Sequence, residues 1–184
     1  MKYYESIILH VSHYQAKKNI ERIIASYSIL KKAYHVKVPL VIVGKHPVKR
    51  LYKFIYSLGL KVGEDVIFTG LVPESILPCL YSLARVFVFP SLHESFGMPV
   101  LEAMACGTPV IVSNRFSLPE IVGAAGIYVD PLNIKELAKA MYKVLNDEET
   151  YRKYRAFGIN RAKLYSWRKT ALQHLIVYKL SLNI

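Results

Sequence analysis

"RVFVFPSLHESFGMPVLEAMACGTPVIVS" (residues 85–113) opens and closes on short runs of Val, Ile and Phe. Neither run alternates polar with apolar residues, so each reads as a strand covered on both faces, which is the habit of parallel sheets. Between them a loop leads into a helix that begins near Gly97 to Pro99. Proline is well tolerated in a first helical turn, where its missing N–H removes no bond. Gly97 lets backbone approach a ligand closely. Ala103, Ala105 and Gly107 are small enough for the helix to lie close on the sheet. The stretch is therefore one strand–helix–strand unit.

The same unit recurs outward in both directions. "SIILHVS" (6–12), "PLVIVG" (39–44), "DVIFTG" (65–70) and "GIYVD" (126–130) read as further strands. "NIERIIASYSILKKAY" sets Ile20, Ile23, Ile24, Tyr27 and Leu30 on one helical face. "PVKRLYKFIYSLG" runs from Pro47 to Gly59, "PESILPCLYSLA" follows the third strand, and "NIKELAKAMYKVLND" carries Asn133 and Glu136 at capping-box spacing. Repetition of this kind predicts an α/β fold: a doubly wound, Rossmann-like parallel sheet of about six strands with helices on both faces. Residues 147–184 read as a helical tail, broken near Gly158 and again near Ser166. We divide the chain into a domain over 1–166 and a terminal helix over 167–184.

Composition sets limits on function. The 184 residues are 53% hydrophobic and 21% charged, which suits a globular domain with a real core. No apolar run approaches the roughly 20 residues that span a bilayer, and the amino terminus lacks a signal peptide's pattern. Cys79 and Cys106 have no paired spacing, so buried free thiols and a cytoplasmic setting are expected. The net charge of +12 is uneven: residues 1–62 hold 12 Lys and Arg against 2 acids, 63–150 hold 5 against 11, and 151–184 hold 8 against none. A basic surface of this kind is either plain solvated charge or an attraction to an anionic partner such as a membrane face, a phosphorylated ligand or nucleic acid.

Doubly wound sheets bind ligands beyond the carboxyl ends of their strands. The loops that fall there are "SHYQAKKN", "GKHP", "TGLVP" and "SLHESFGMP". No G-x-G-x-x-G, Walker loop or H-E-x-x-H is present, so dinucleotide, P-loop and zinc-protease readings fail. The free N–H groups of a helix starting near Gly97 form an anion site. Glu94 precedes it and Glu102 lies about a turn inside the helix. Carboxylates beside a phosphate cradle are poor phosphate ligands but good acceptors for sugar hydroxyls, so the pair suits two sugars joined through a diphosphate. The plainer alternative is a helix cap and a surface glutamate.

Residues 90–149, "PSLHESFGMPVLEAMACGTPVIVSNRFSLPEIVGAAGIYVDPLNIKELAKAMYKVLNDEE", strongly resemble the donor-binding half of family 4 retaining glycosyltransferases of GT-B fold. The wider likeness runs from about Ser6 to Trp167 and takes in "LVIVG", "VIFTGLVP" and "LYSLARVFVFPS". It implies that Glu94 contacts the donor sugar beside the reacting carbon and that backbone around Phe96, Gly97 and Met98 touches that sugar. It further implies that backbone at Val100 meets the diphosphate and that Glu102 holds the ribose hydroxyls. The family's G-R-x-x-x-x-K-G-like loop corresponds to "SHYQAKKN". Lys18 takes the lysine's place and Asn19 the glycine's, while His13 stands where the arginine would be and Ser12 where the preceding glycine would be. Lys17 and His46 are further candidates for contact, and Glu120 is a weaker one, better suited to a helix end.

The resemblance implies metal-independent transfer of a hexose-type sugar from a nucleoside-diphosphate sugar, with Glu94 and Lys18 as the catalytic pair and no cofactor. The acceptor would be a glycan, a lipid-linked sugar or a protein. A complete GT-B enzyme has a second, acceptor-binding amino-terminal domain. Residues 167–184 would then pack on that domain, on another copy of the chain, or near an anionic inner membrane face. Two other readings stand beside this one: a nucleotide-sugar-binding module without transfer, favoured by His13, and a basic nucleic-acid-binding protein, which no recognition motif supports.

Overall fold

The computed structural model describes residues 6–45 and 49–182. Six parallel strands form a single sheet: β1 (Ile7–Val11), β2 (Leu40–Val43), β3 (Val66–Gly70), β4 (Ala84–Phe89), β5 (Val110–Ser113) and β6 (Gly126–Val129). Their spatial order is β3-β2-β1-β4-β5-β6, the doubly wound arrangement in which chain direction across the sheet reverses between β1 and β4. Register at that junction sets Ile8 against Val86 and Leu9 against Phe87. Loops leaving β1 and β4 therefore diverge from a common crevice.

Strand alternation divides the core in two. Ile8, Val86 and Val88 face one layer with Ile23, Leu51 and Leu137, which come from α1 (Ile20–Tyr34), α2 (Lys49–Ser57) and α6 (Ile134–Asn146). Leu9, Phe87 and Phe89 face the other with Tyr81, Val100 and Ile121, from α3 (Leu77–Leu83), α4 (Met98–Ala105) and α5 (Leu118–Val122). The expected strands and helices over these segments are present. The start of the second expected helix, Pro47, and His46 beside it lie outside the described residues. Asn133 Oδ1 accepts the Glu136 N–H at 3.1 Å and caps α6 as its spacing predicts.

Three local expectations are corrected. α7 (Glu148–Ala162) runs unbroken through Gly158, which is buried against Met104 of α4, where an added Cβ would make ordinary contact with Met104 Cγ at 3.4 Å. Ala105 is exposed, leaving Ala103 as the buried small residue of α4. Cys79 is an exposed free thiol on the short α3, and only Cys106 is half-buried. The break near Ser166 is present, and α8 (Trp167–Leu182) follows it with no buried residue. No described helix is long and apolar enough to cross a membrane.

Candidate functional site

The β1–α1 loop ends in a short 3-10 turn, Ala16–Lys18, followed by Asn19 in the left-handed conformation at φ 63° and ψ 28°. Asn is among the few residues with a side chain that accept this geometry, which explains how it takes a glycine's place. Its side chain does what glycine cannot. Nδ2 donates to the carbonyls of Pro90 at 2.9 Å and Pro131 at 2.7 Å, and Oδ1 accepts from Arg22 at 2.9 Å. One residue thus ties the loop to the carboxyl ends of β4 and β6. The Leu92 N–H donates to the Lys17 carbonyl at 2.8 Å and completes the junction.

This junction brings Lys18 against Glu94. The Lys18 ammonium makes a salt bridge to Glu94 Oε2, with both side chains largely enclosed at 14% and 12% exposure. Lys18 Nζ also lies 5.0 Å from the centre of the Phe89 ring, a cation–π contact. The Glu94 backbone is held from the other side, where Ser117 Oγ donates to its carbonyl at 2.9 Å. The two residues expected to act as a pair are in direct contact although 76 positions separate them.

On the β4–α4 side Gly97 caps α4 with φ 98°, a conformation that favours glycine, and an added Cβ would meet Leu118 Cδ2 at 2.8 Å. Phe96 and Met98, on either side, are exposed. Pro99 has no N–H, while Val100 and Leu101 both donate to the Gly97 carbonyl, at 2.9 and 3.4 Å. The first-turn amide left without an acceptor among the described residues is that of Met98. Val100, around which backbone was expected to meet a diphosphate, is fully buried, and its own N–H donates to the Gly97 carbonyl.

Glu102 lies farther along α4. Its Oε2 accepts from the Tyr81 hydroxyl at 2.8 Å. Burial, and then the neighbouring carboxylate, push the Tyr81 pKa up, so the phenol keeps its proton and remains a donor. Tyr81 therefore fixes one oxygen of Glu102 and leaves the other for a ligand. The expected contact residues missed this partner; its position on the helix preceding β4 carries no sequence signal for it.

A cavity of about 290 Å³ lies between these walls, at the carboxyl ends of β1, β2 and β3. It is lined by Ser12, His13 and Lys18 from the first loop, Pro99 and Glu102 from α4, and Gly44, Leu71 and Val72 from the neighbouring loops. Gly44 is indispensable there: a Cβ would fall 1.9 Å from the Ser12 carbonyl oxygen. His13 is exposed and Lys17 is exposed. Glu94 reaches the cavity through Lys18; Phe96, Gly97, Met98 and Val100 do not line it. Glu120 is exposed on α5, where its carbonyl accepts from Arg161. A second, larger hollow of about 420 Å³ flanks the far side of the first loop and contains neither Lys18 nor Glu102.

Residues 4–161 match the family described as Glycosyl transferases group 1. The chain is 36% identical over 176 residues to the serotype-specific mannosyltransferase WbdA of Escherichia coli, covering 94% of this chain and 21% of that protein. It is 34% identical to O-antigen chain mannosyltransferase B of Escherichia coli, covering 96% and 46%. Among solved structures, sucrose-phosphate synthase from Thermosynechococcus elongatus superposes with a TM-score of 0.85 at 31% identity, covering 97% of this chain and 46% of that one. Anabaena HepE, solved with UDP and glucose, superposes at 0.82 and 24% identity and attests the fold. The chain spans less than half the length of each of these relatives. It belongs to the group 1 glycosyl transferases.

Proposed function

We propose that the chain is the donor-binding half of a retaining glycosyltransferase that uses a nucleoside-diphosphate sugar. The observation that carries this reading is the pairing of walls around one cavity. A lysine enters from the β1–α1 loop and a tyrosine-anchored glutamate from α4, at the crevice where such sheets take nucleotides. Lys18, with the α4 dipole, would offset the negative charge that develops on the departing diphosphate. Glu94 would orient the sugar and stabilise positive charge at the reacting carbon. Glu102 would accept from the ribose hydroxyls.

Transfer itself would need an acceptor held from the opposite side, by a domain equivalent to the part of the relatives that this chain does not match. The mannosyltransferase relatives make mannose the first donor sugar to try. A glycan or a lipid-linked sugar would be the acceptor, with the basic tail near an anionic membrane face. A module that binds a nucleotide-sugar without transferring it is the second reading, and the observation that favours it is His13. Histidine is shorter than arginine and cannot make its bidentate phosphate contact.

Titration of the chain with nucleoside-diphosphate sugars carrying mannose and glucose tests the proposal. Saturable binding, displaced by the matching nucleoside diphosphate, is expected. Binding of nucleic acid instead, persisting at physiological salt, would overturn it, because purely electrostatic association weakens steeply with salt.

A further inference from the structure

His10 is completely buried near the carboxyl end of β1. Its Nδ1 lies 2.8 Å from the Val88 carbonyl oxygen and its Nε2 lies 2.7 Å from Ser12 Oγ. A carbonyl oxygen only accepts, so the ring proton belongs on Nδ1. Nε2 of the neutral ring then presents a lone pair, and the Ser12 hydroxyl must donate to it. Burial keeps the ring neutral, lowering its pKa to about 4 against the opposing Val88 bond, and the Lys18 charge acts in the same direction as burial.

Ser12's other proton is also committed. Its N–H donates to the Val43 carbonyl at 3.0 Å, and its own carbonyl is packed against Gly44. Ser12 thus lines the cavity with oxygen lone pairs and no free donor. A diphosphate at neutral pH presents almost only acceptor oxygens, which such a group repels. A sugar or ribose hydroxyl can donate to it.

We propose that His10 makes Ser12 an acceptor-only position in the cavity, one that receives a hydroxyl of the nucleoside-diphosphate sugar and turns away its phosphate oxygens. This rests on the reading of the cavity as a nucleotide-sugar site. His10 acts as a positioning residue, and Ser12 reads the ligand. It follows that the first loop holds the diphosphate through Lys18 and not through Ser12.

Two measurements test this. Long-range proton–nitrogen NMR of the 15N-histidine-labelled chain at pH 7 should show His10 as the Nδ1–H tautomer. An Nε2–H or doubly protonated ring would overturn the proposal, and this readout needs no variant. Calorimetry should then show Ser12→Ala weakening a nucleoside-diphosphate sugar about three- to tenfold, the worth of one ordinary hydrogen bond, with inorganic pyrophosphate bound no more weakly than by the wild type. Equal weakening for both ligands, or for neither, would overturn the hydroxyl reading while leaving the donor site standing. If the wild-type chain bound no nucleotide-sugar, the functional reading and this proposal would fall together.

Discussion

The two loops that frame the cavity are built in opposite ways. The β1–α1 loop is pinned through side chains and close contacts: Asn19 bonds two distant carbonyls, and Gly44 lies under Ser12. It contributes chemistry through one cation, Lys18, already shared with Glu94. The β4–α4 loop turns on a left-handed glycine and leaves the Met98 amide without an acceptor among the described residues, beside exposed Phe96 and Met98. The first wall is therefore tied down by several bonds and supplies a cation; the second is more open and supplies backbone together with the carboxylates of Glu94 and Glu102. On the proposed reading, phosphate would be held mainly by the first wall and the sugar mainly by the second.

The largest expected effect breaks the first wall. Gly44→Ala places a Cβ 1.9 Å from a backbone oxygen at φ 149°. Strain and overpacking together should cost more than about 3 kcal/mol, read as a lowered midpoint in urea. A variant of wild-type stability would show that the β1 and β2 loops are not in close contact.

Acid should strain the same wall through His10. Its folded pKa of about 4 lies below the ordinary 6.5, so the unfolded chain binds the proton first. Stability is full above pH 6.5 and falls as pH drops toward 4, by roughly 3 kcal/mol if the whole difference is expressed. His10→Phe should flatten that part of the stability–pH curve, since its ring can still stack on Phe89, 5.7 Å away in the wild type. An unaltered slope would mean that His10 is not buried neutral.

Asn19→Gly separates conformation from bonding. Glycine suits the left-handed position, yet the Pro90 and Pro131 carbonyls lose their donor, which should cost about 2 kcal/mol. A neutral substitution would reduce Asn19 to a backbone role. The smallest effect tests the charge on the first wall: His13→Arg, at an exposed position, should tighten diphosphate binding about fivefold at most. Weaker binding would show that His13 is not aimed as an arginine would be.

The fold was legible because short β-branched and aromatic runs such as "LVIV" and "VFVF", set between amphipathic segments, read as buried parallel strands, and because Gly97-Met98-Pro99 marks a helix start. Lys18 and His13 were legible in a loop at the sheet's carboxyl edge and Glu102 in the helix that follows another such loop, and the structure brings them to one cavity. Other features depend on tertiary neighbours. Gly158 reads as a helix breaker, yet α7 passes through it packed on Met104, and only the structure shows the Val100 N–H donating to the Gly97 carbonyl. The Tyr81–Glu102 bond joins positions with no local relation. His10 and Ser12, two apart at a strand end, share a face, and that spacing was the one available hint of their contact.

The central claim is that one wall of the cavity holds phosphate and the α4 wall holds the ribose. Calorimetry on Lys18→Ala and Glu102→Gln, each with a nucleoside diphosphate and with inorganic pyrophosphate, tests it most directly. Gln retains an acceptor for the Tyr81 hydroxyl, so the fold should persist. Lys18→Ala should weaken both ligands about tenfold to a hundredfold, the worth of a charge-assisted contact. Glu102→Gln should weaken the nucleoside diphosphate alone and leave pyrophosphate unweakened. Equal losses for both ligands in Glu102→Gln, or no loss in Lys18→Ala, would contradict the division of the site.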